Sequence, residues 1–302
     1  MATSSIAVSP FARLRTYASF VRFEHTLFSL PLLLAGVFSA PGPSMSAGRW
    51  ALIAVAAVGA RTAAMALNRL IDRRLDALNP RTRGRELPAG RMKTVEALGL
   101  LAASVAAYLA ACAALGPWFL RVSPVPLAVF TLYPYLKRFT PLCHFGVGLA
   151  LALAPLAGYA AAHPDLERLG PALWLAGFAL AWVSGFDIIY ATLDEAFDRA
   201  NGVRSMVVAL GRRRALALSA ALHAAAFGCL LLATLAMLPQ GTTPPAGPLA
   251  ALAGTLLGTG SLLWLEQRWA EDVHLAFFKV NVFVGFGVLA SVLVARAAAG
   301  GF

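Results

Sequence analysis

Apolar runs of about 20 residues recur along the whole chain, each closed off by Pro, Gly or charged residues. That length is what a helix needs to cross a bilayer. The pattern predicts about nine transmembrane helices, over residues 20–40, 50–71, 94–115, 122–136, 141–161, 171–193, 213–237, 248–266 and 275–297. Pro41-Gly42-Pro43, Gly116-Pro117 and Pro244-Pro245 mark breaks between them. The fourth run is short, and Pro124, Pro126 and Pro134 blur its ends. The expected architecture is an all-α integral membrane protein, one domain over residues 1–302, with its helices around a central cavity.

Composition agrees. Of 302 residues, 59% are hydrophobic and only 13% charged, too few to cover a soluble surface. A net charge of +11 raises the question of nucleic acid, but the placement of the charges excludes it. With the N-terminus in the cytoplasm, 19 of 25 Lys and Arg residues fall in cytoplasmic segments, and only Arg49, Arg121, Arg168 and Arg296 fall opposite. This asymmetry is the positive-inside pattern, so a multi-pass protein of the cell's inner membrane is expected. Arg13, Arg15 and Arg22 precede the first run, which reads as an uncleaved first helix rather than a signal peptide. Cys112, Cys143 and Cys229 are scattered, giving neither a disulfide framework nor zinc spacing.

The predicted second helix ends in Asn68-Arg69-Leu70-Ile71-Asp72-Arg73-Arg74-Leu75-Asp76. Asn68, Asp72 and Asp76 are four apart, which sets all three on one helical face. Two carboxylates and an amide oxygen make a hard, oxygen-only stripe suited to Mg²⁺. Asp194 and Asp198 repeat the spacing at the end of the sixth predicted helix, and each aspartate pair is followed three residues later by Asn79 or Asn201. Both copies fall at the cytoplasmic end of an even-numbered helix, so they can face each other. Facing carboxylates repel strongly unless cations intervene. Mg²⁺ relieves that repulsion and leaves coordination positions for a diphosphate. A solvated helix end would explain either motif alone; the doubling favours one shared site.

Basic residues surround the motifs. The run from Asn79 to Arg91 contains Arg81, Arg83, Arg85 and Arg91. Such a loop closes over a diphosphate by bidentate contacts, or simply marks the cytoplasmic side. Lys137-Arg138 follows the fourth helix on that same side and would stabilise a departing diphosphate. Arg83, Arg69 and Arg22 complete the expected diphosphate-binding set. Arg61 lies seven residues before Asn68, ~10 Å deeper on nearly the same face. An Arg at that depth wants a partner: an acceptor carboxylate, part of a diphosphate, or Asp187, which lies seven residues before Asp194. Phe186 and Tyr190 offer aromatic faces to a cation. His25, Lys279 and Asn281 read as interfacial residues, and Gly254 with Gly258 as a weak helix-packing signal.

These residues together resemble the UbiA family of membrane prenyltransferases, over essentially the whole chain. Asn68, Asp72 and Asp76 match its first motif, and Tyr190, Asp194 and Asp198 its second. The stretch from Asn68 through Glu86-Leu87-Pro88-Ala89-Gly90, with Phe23-Glu24-His25-Thr26 upstream, is similar to a subgroup labelled 4-hydroxybenzoate polyprenyltransferases, many assigned to menaquinone synthesis through futalosine. Where many relatives have Asn-Asp, this chain has Asn68-Arg69, one potential ligand fewer.

The resemblance implies Mg²⁺-dependent transfer of a polyprenyl group from its diphosphate to a hydroxylated aromatic acid, either a naphthoate or 4-hydroxybenzoate, in quinone synthesis. Asn68, Asp72, Asp76, Asp194 and Asp198 would hold the metal, and the aspartates with Asp187 would serve catalysis. Arg61, Tyr190 and Asp187 would meet the acceptor. An ion-coupled transporter is the alternative, since intramembrane carboxylates also mark ion pathways.

Overall fold

A computed structural model describes residues 10–22, 26–42, 45–239, 241, 244–270 and 280–300. Its described elements are all helical. Eight stretches are long and apolar enough to span a membrane, and Ser29–Phe38 adds a shorter apolar helix, in line with the expected number. His25 and Lys279 lie outside the described residues.

The first predicted run, 20–40, holds one helix, and a further helix precedes it. Helix α1 (Pro10–Phe20) ends before Arg22, whose φ is +49°, and α2 (Thr26–Phe38) enters the bundle. Helix α3 (Ala47–Leu78) runs 32 residues, with Ser46 capping its start by accepting from the Arg49 N–H. At 1.5 Å per residue that is about 48 Å, well beyond the ~30 Å hydrocarbon core. The surplus carries Asn68, Asp72 and Asp76 out toward one face, seven residues past the predicted end at 71. Helix α4 (Thr94–Leu115) returns. The fourth predicted run, 122–136, is α6 (Pro124–Leu136), and the short α5 (Pro117–Val122) precedes it, each with a proline in its first turn.

Helices α7 (Cys143–Ala162) and α8 (Gly170–Ala191) form the middle of the bundle. Helix α8 stops earlier than the spacing of its motif suggests. Thr192, Leu193 and Asp194 each donate their N–H three residues back, to Ile189, Tyr190 and Ala191, and this tightening ends the helix. Asp194 then stands at the start of the short α9 (Glu195–Ala200). The second motif is therefore a helix end, a turn and a new helix, not one continuous stripe. Helices α10 (Met206–Leu210), α11 (Arg212–Met237), α12 (Ala246–Arg268) and α13 (Asn281–Ala298) follow.

Helix α8 packs between α7 and α11; α13 closes the ring by packing on α12 and α2, while α3 packs on α4 and α6. The solid core lies on the C-terminal side, where Leu175, Phe178 and Trp182 of α8 meet Leu230, Val284 and Val288. Two polar contacts tie that side together: Trp182 Nε1 donates to Asn281 Oδ1 at 3.0 Å, and Gln267 Nε2 to Ser219 Oγ at 2.8 Å. Asn281 is thus an interior residue, 1% exposed, not the interfacial anchor expected from its place in the sequence.

Close helix approach occurs away from Gly254 and Gly258, around which an added Cβ meets nothing. It occurs between α2 and α7, where a Cβ on Gly36 would overlap the Pro155 carbonyl and one on Gly158 the Leu33 carbonyl. Backbone cannot yield as a flexible side chain does. Gly158→Val should therefore destabilise the fold by about 1–3 kcal/mol or more, seen as a lowered Tm in detergent, while Gly254→Val should leave the Tm close to wild type.

Candidate active site

A cavity of about 1020 Å³ opens among α2 to α9. Its described lining residues run from Val21 to Ser205. Asp72 and Ile53 both line it and are roughly 28 Å apart along α3 at 1.5 Å per residue. The shaft is apolar, with Ile53, Leu115, Phe119, Phe130 and Leu151 on its walls. The head is densely charged, with Asp72, Asp76, Asp194, Asp198, Arg81, Arg85 and Lys137.

Both aspartate motifs meet at this head. Asp72 accepts from Lys137 Nζ at 2.7 Å and lies 3.4 Å from both Asn68 Nδ2 and Arg138 Nη2. Asp76 Oδ1 accepts from Arg85 at 2.7 Å. Asn79 Nδ2 reaches across to Asp194 Oδ1 at 2.9 Å. Arg81 crosses the same gap: its Nε donates to Asp194 Oδ1 at 2.8 Å, its Nη2 pairs with Asp194 Oδ2, and its Nη1 donates to Tyr190 Oη at 2.6 Å. The Arg81 guanidinium also sits 4.7 Å over the Tyr190 ring.

These contacts divide the two aspartates of the second motif. Burial raises the Asp194 carboxyl, but hydrogen bonds from Arg81 and Asn79 outweigh it and hold Asp194 below its ordinary range. Burial and then the Asp194 charge push Asp198 up to about 6. Burial opposes the charge on Lys137, and the Asp72 carboxylate outweighs that too, raising the ammonium.

Asn68, Asp72, Asp76, Asp194, Asp198, Lys137, Arg61, Tyr190 and Asp187 all line the one cavity. Four expected diphosphate contacts are not among its lining residues. Arg69 is 5% exposed and points its Nε at the Phe20 carbonyl of α1, 3.5 Å away. One position past Asn68 is about 100° round a helix, off the stripe. Arg138 backs Asp72 from outside and donates to the Pro134 and Ile71 carbonyls. The carbonyl of Arg22 accepts from Arg61 Nη2 at 3.3 Å. Arg83 is exposed.

From this loop Arg81 and Arg85, rather than Arg83, line the cavity. Arg83 N–H bonds back to Asn79, Arg85 to Thr82 and Ala89 to Arg85, so the loop turns like a helix. Positions 81 and 85 then share a face that 83 does not. That spacing is visible in the sequence; the helical turn is not. His144 had no sequence signal at all. Its Nδ1 lies 2.6 Å from Asp187 Oδ2, which gives Asp187 a different partner from the Arg61 considered for it.

Among the described residues no group of three His, Cys, Asp or Glu side chains could hold a metal by itself. Mg²⁺ does not require one, since it usually binds through one or two carboxylates, waters and substrate phosphates. Asp76 Oδ2 is buried with no hydrogen-bond partner, the orphaned acceptor such a cation would satisfy. Asn68, Asp72 and Asp198 supply further oxygens, so the donor set fits Mg²⁺.

A profile of the UbiA prenyltransferase family matches residues 29–296. The 4-hydroxybenzoate octaprenyltransferase of Vibrio campbellii is 26% identical over 294 residues, 93% of this chain and 97% of its own length. That of a Marinomonas species is 30% identical over 205 residues, 66% of this chain and 71% of its own. An apo UbiA homologue from Aeropyrum pernix K1 shares the fold with a TM-score of 0.78 at 34% identity, over 90% of this chain and 98% of that one. A UbiA homologue from Archaeoglobus fulgidus, bound to GPP and Mg²⁺, shares the fold with a TM-score of 0.71 at 18% identity, over 94% and 99%.

The cavity head should bind inorganic pyrophosphate with Mg²⁺. Losing one charge-assisted contact is worth about 1.5–3 kcal/mol, or roughly 10- to 100-fold in affinity. Titration calorimetry should show that loss for Arg81→Ala, and less than about 2-fold for Arg83→Ala, which removes only an exposed charge.

Proposed function

The chain belongs to the UbiA prenyltransferase family, and we propose that it transfers a polyprenyl group from its diphosphate to a hydroxylated aromatic acid in quinone synthesis. It is a multi-pass membrane protein and an aromatic prenyltransferase of the 4-hydroxybenzoate polyprenyltransferase type. The polyprenyl diphosphate and the aromatic acid are the proposed part, with 4-hydroxybenzoate favoured by the names of the relatives. The observation that carries the reading is the shape of the cavity: a charged head where two aspartate motifs meet, above a long apolar shaft. That is the complement of an amphiphile with a diphosphate at one end and a hydrocarbon tail. A transport site would lie near the midplane with access from both faces, and these carboxylates cluster at one end.

The reaction begins with cleavage of the allylic C–O bond, whose electron pair leaves with the diphosphate. Bound Mg²⁺ would supply positive charge to that leaving group. Arg81, Arg85 and Lys137 hold and neutralise the diphosphate as charge grows on it. The apolar shaft keeps water from the allylic cation, and the faces of Phe186 and Tyr190 stabilise it. Arg61 orients the acceptor carboxylate, and Asp187 accepts the proton released as the ring regains aromaticity. One membrane domain carries all of these groups. The cytoplasmic membrane is the setting, with the head toward the cytoplasm, as the placement of the basic residues supports.

Membranes containing the protein should convert Mg²⁺, a polyprenyl diphosphate and 4-hydroxybenzoate or the naphthoate acceptor to a prenylated acid detected by mass spectrometry. Chelation or Asp198→Ala should remove the product, and no product with either acceptor would sink the reading. Arg61→Ala should raise the acceptor KM by roughly 10-fold or more, the value of a charge-assisted pair, with the prenyl diphosphate KM nearly unchanged. An equal rise in both would reassign Arg61.

A further inference from the structure

We infer that His144 is a positioning residue that holds Asp187 as an oriented carboxylate facing the reacting carbon. This rests on the reading of Asp187 as the proton acceptor. His144 stands in the first turn of α7, 3% exposed, and Asp187 lies in the penultimate turn of α8. The two helices are brought together one turn along, where a Cβ on Gly148 would overlap the Leu180 carbonyl and Ser184 Oγ. Ser184 Oγ donates to the Leu180 carbonyl at 2.6 Å and lies 3.3 Å from the His144 carbonyl.

The tautomer of His144 follows from its two neighbours. The Met206 N–H lies 3.2 Å from Nε2. A backbone N–H can only donate, so Nε2 is the acceptor and carries no proton. The ring proton is then on Nδ1, where it is donated to Asp187 Oδ2 across 2.6 Å. His144 is the hydrogen-bond partner of Asp187 among the described residues. With Oδ2 held, Oδ1 is the atom left for chemistry, and the Asp187 side chain is 26% exposed to the cavity it lines.

The proton balance assigns each atom a part. The ring carbon gives a π pair to the allylic carbon as the C–O pair departs with the diphosphate. The C–H pair then returns to the ring, and its proton passes to Asp187 Oδ1. His144 takes none of it, because Nε2 is occupied by the Met206 N–H and Nδ1 already bears hydrogen. Asp187 passes the proton on to solvent after product leaves. Without His144 the carboxylate is free to rotate, and misplacing a reacting group by about 1 Å costs on the order of 100-fold.

The test compares wild type, His144→Leu, His144→Asn and Asp187→Asn, each folded by its Tm in detergent, with ring-protiated and ring-deuterated acceptor. His144→Leu should lower kcat roughly 10- to 100-fold, leave the KM for prenyl diphosphate unchanged, and bring out a primary isotope effect absent from wild type. His144→Asn keeps an N–H near the Nδ1 position and should recover much of kcat. In the Asp187→Asn background, His144→Leu should add little. A wild-type kcat in His144→Leu, or the same further loss in both backgrounds, overturns the proposal while the transferase reading stands. No prenylated product from wild type overturns both.

Discussion

Neutralisation of carboxylates at the cavity head is the constraint on which the rest of the structure depends. Two unit charges about 4 Å apart interact by roughly 4 kcal/mol at an effective dielectric of 20, several times the net value of an ordinary hydrogen bond. Four buried or half-buried aspartates cannot share one pocket without cations. The chain supplies its own: Lys137 and Arg138 at Asp72, Arg85 at Asp76 and Arg81 at Asp194. Two of these cations, Arg81 and Arg85, belong to the segment between α3 and α4 and line the cavity. The placing of that segment and the assembly of the site are therefore one electrostatic event. A phosphate-bearing ligand would compete for those same guanidinium groups, so ligand binding and loop position are coupled through shared partners.

The two motifs look alike on paper and are built differently. The first rides on the surplus length of α3, a single stiff helix, and its three polar positions stay a turn apart. The second is broken after Ala191 by three consecutive tightened turns. That break lets Asn79 and Arg81 reach Asp194 from the first motif's side while Asp198 stays buried behind it. The result is one carboxyl held low and its neighbour raised to about 6. An internal repeat of residue spacing has thus been put to two electrostatic uses. Asn79 and Asn201 diverge as well: Asn79 bridges the motifs, whereas Asn201 Nδ2 only returns to the Phe197 carbonyl.

What could be read beforehand follows where regular geometry holds. Hydropathy located the spans because a bilayer imposes one length on every crossing. The i, i+4 rule placed Asn68, Asp72 and Asp76 because α3 is continuous through them. The same rule fails one residue on, at Arg69, only when a charge near the motif is taken as a charge in it. It would have chosen Arg81 and Arg85 over Arg83 had the loop's helical turns been known, and basic composition does not announce those turns. His144 was beyond reach for a different reason. Its partner Asp187 is on another helix, its second partner is a backbone N–H of a third, and no spacing in the chain links them.

The cavity also separates charge by depth, and that bears on how the chemistry is arranged. The head is rich in cations, with Arg81, Arg85 and Lys137 on its walls. Arg61 and Asp187 each lie seven residues before their motif's first polar or acidic position; for Arg61, on the continuous α3, that is about 10 Å along the helix axis. On the proposed reading, the allylic carbon passes between the head and these residues as its bond to oxygen breaks. Its developing positive charge then faces the Asp187 carboxylate and the Phe186 and Tyr190 rings, while the departing negative charge faces Arg81, Arg85 and Lys137. Fixed charges of opposite sign at the two ends of a breaking bond stabilise its ionised form more than its covalent form, which is the differential binding that lowers a barrier. Surrounded by lipid and apolar wall, the arrangement is screened little by water. A membrane location therefore serves the polar half of the reaction as much as it serves the hydrocarbon tail.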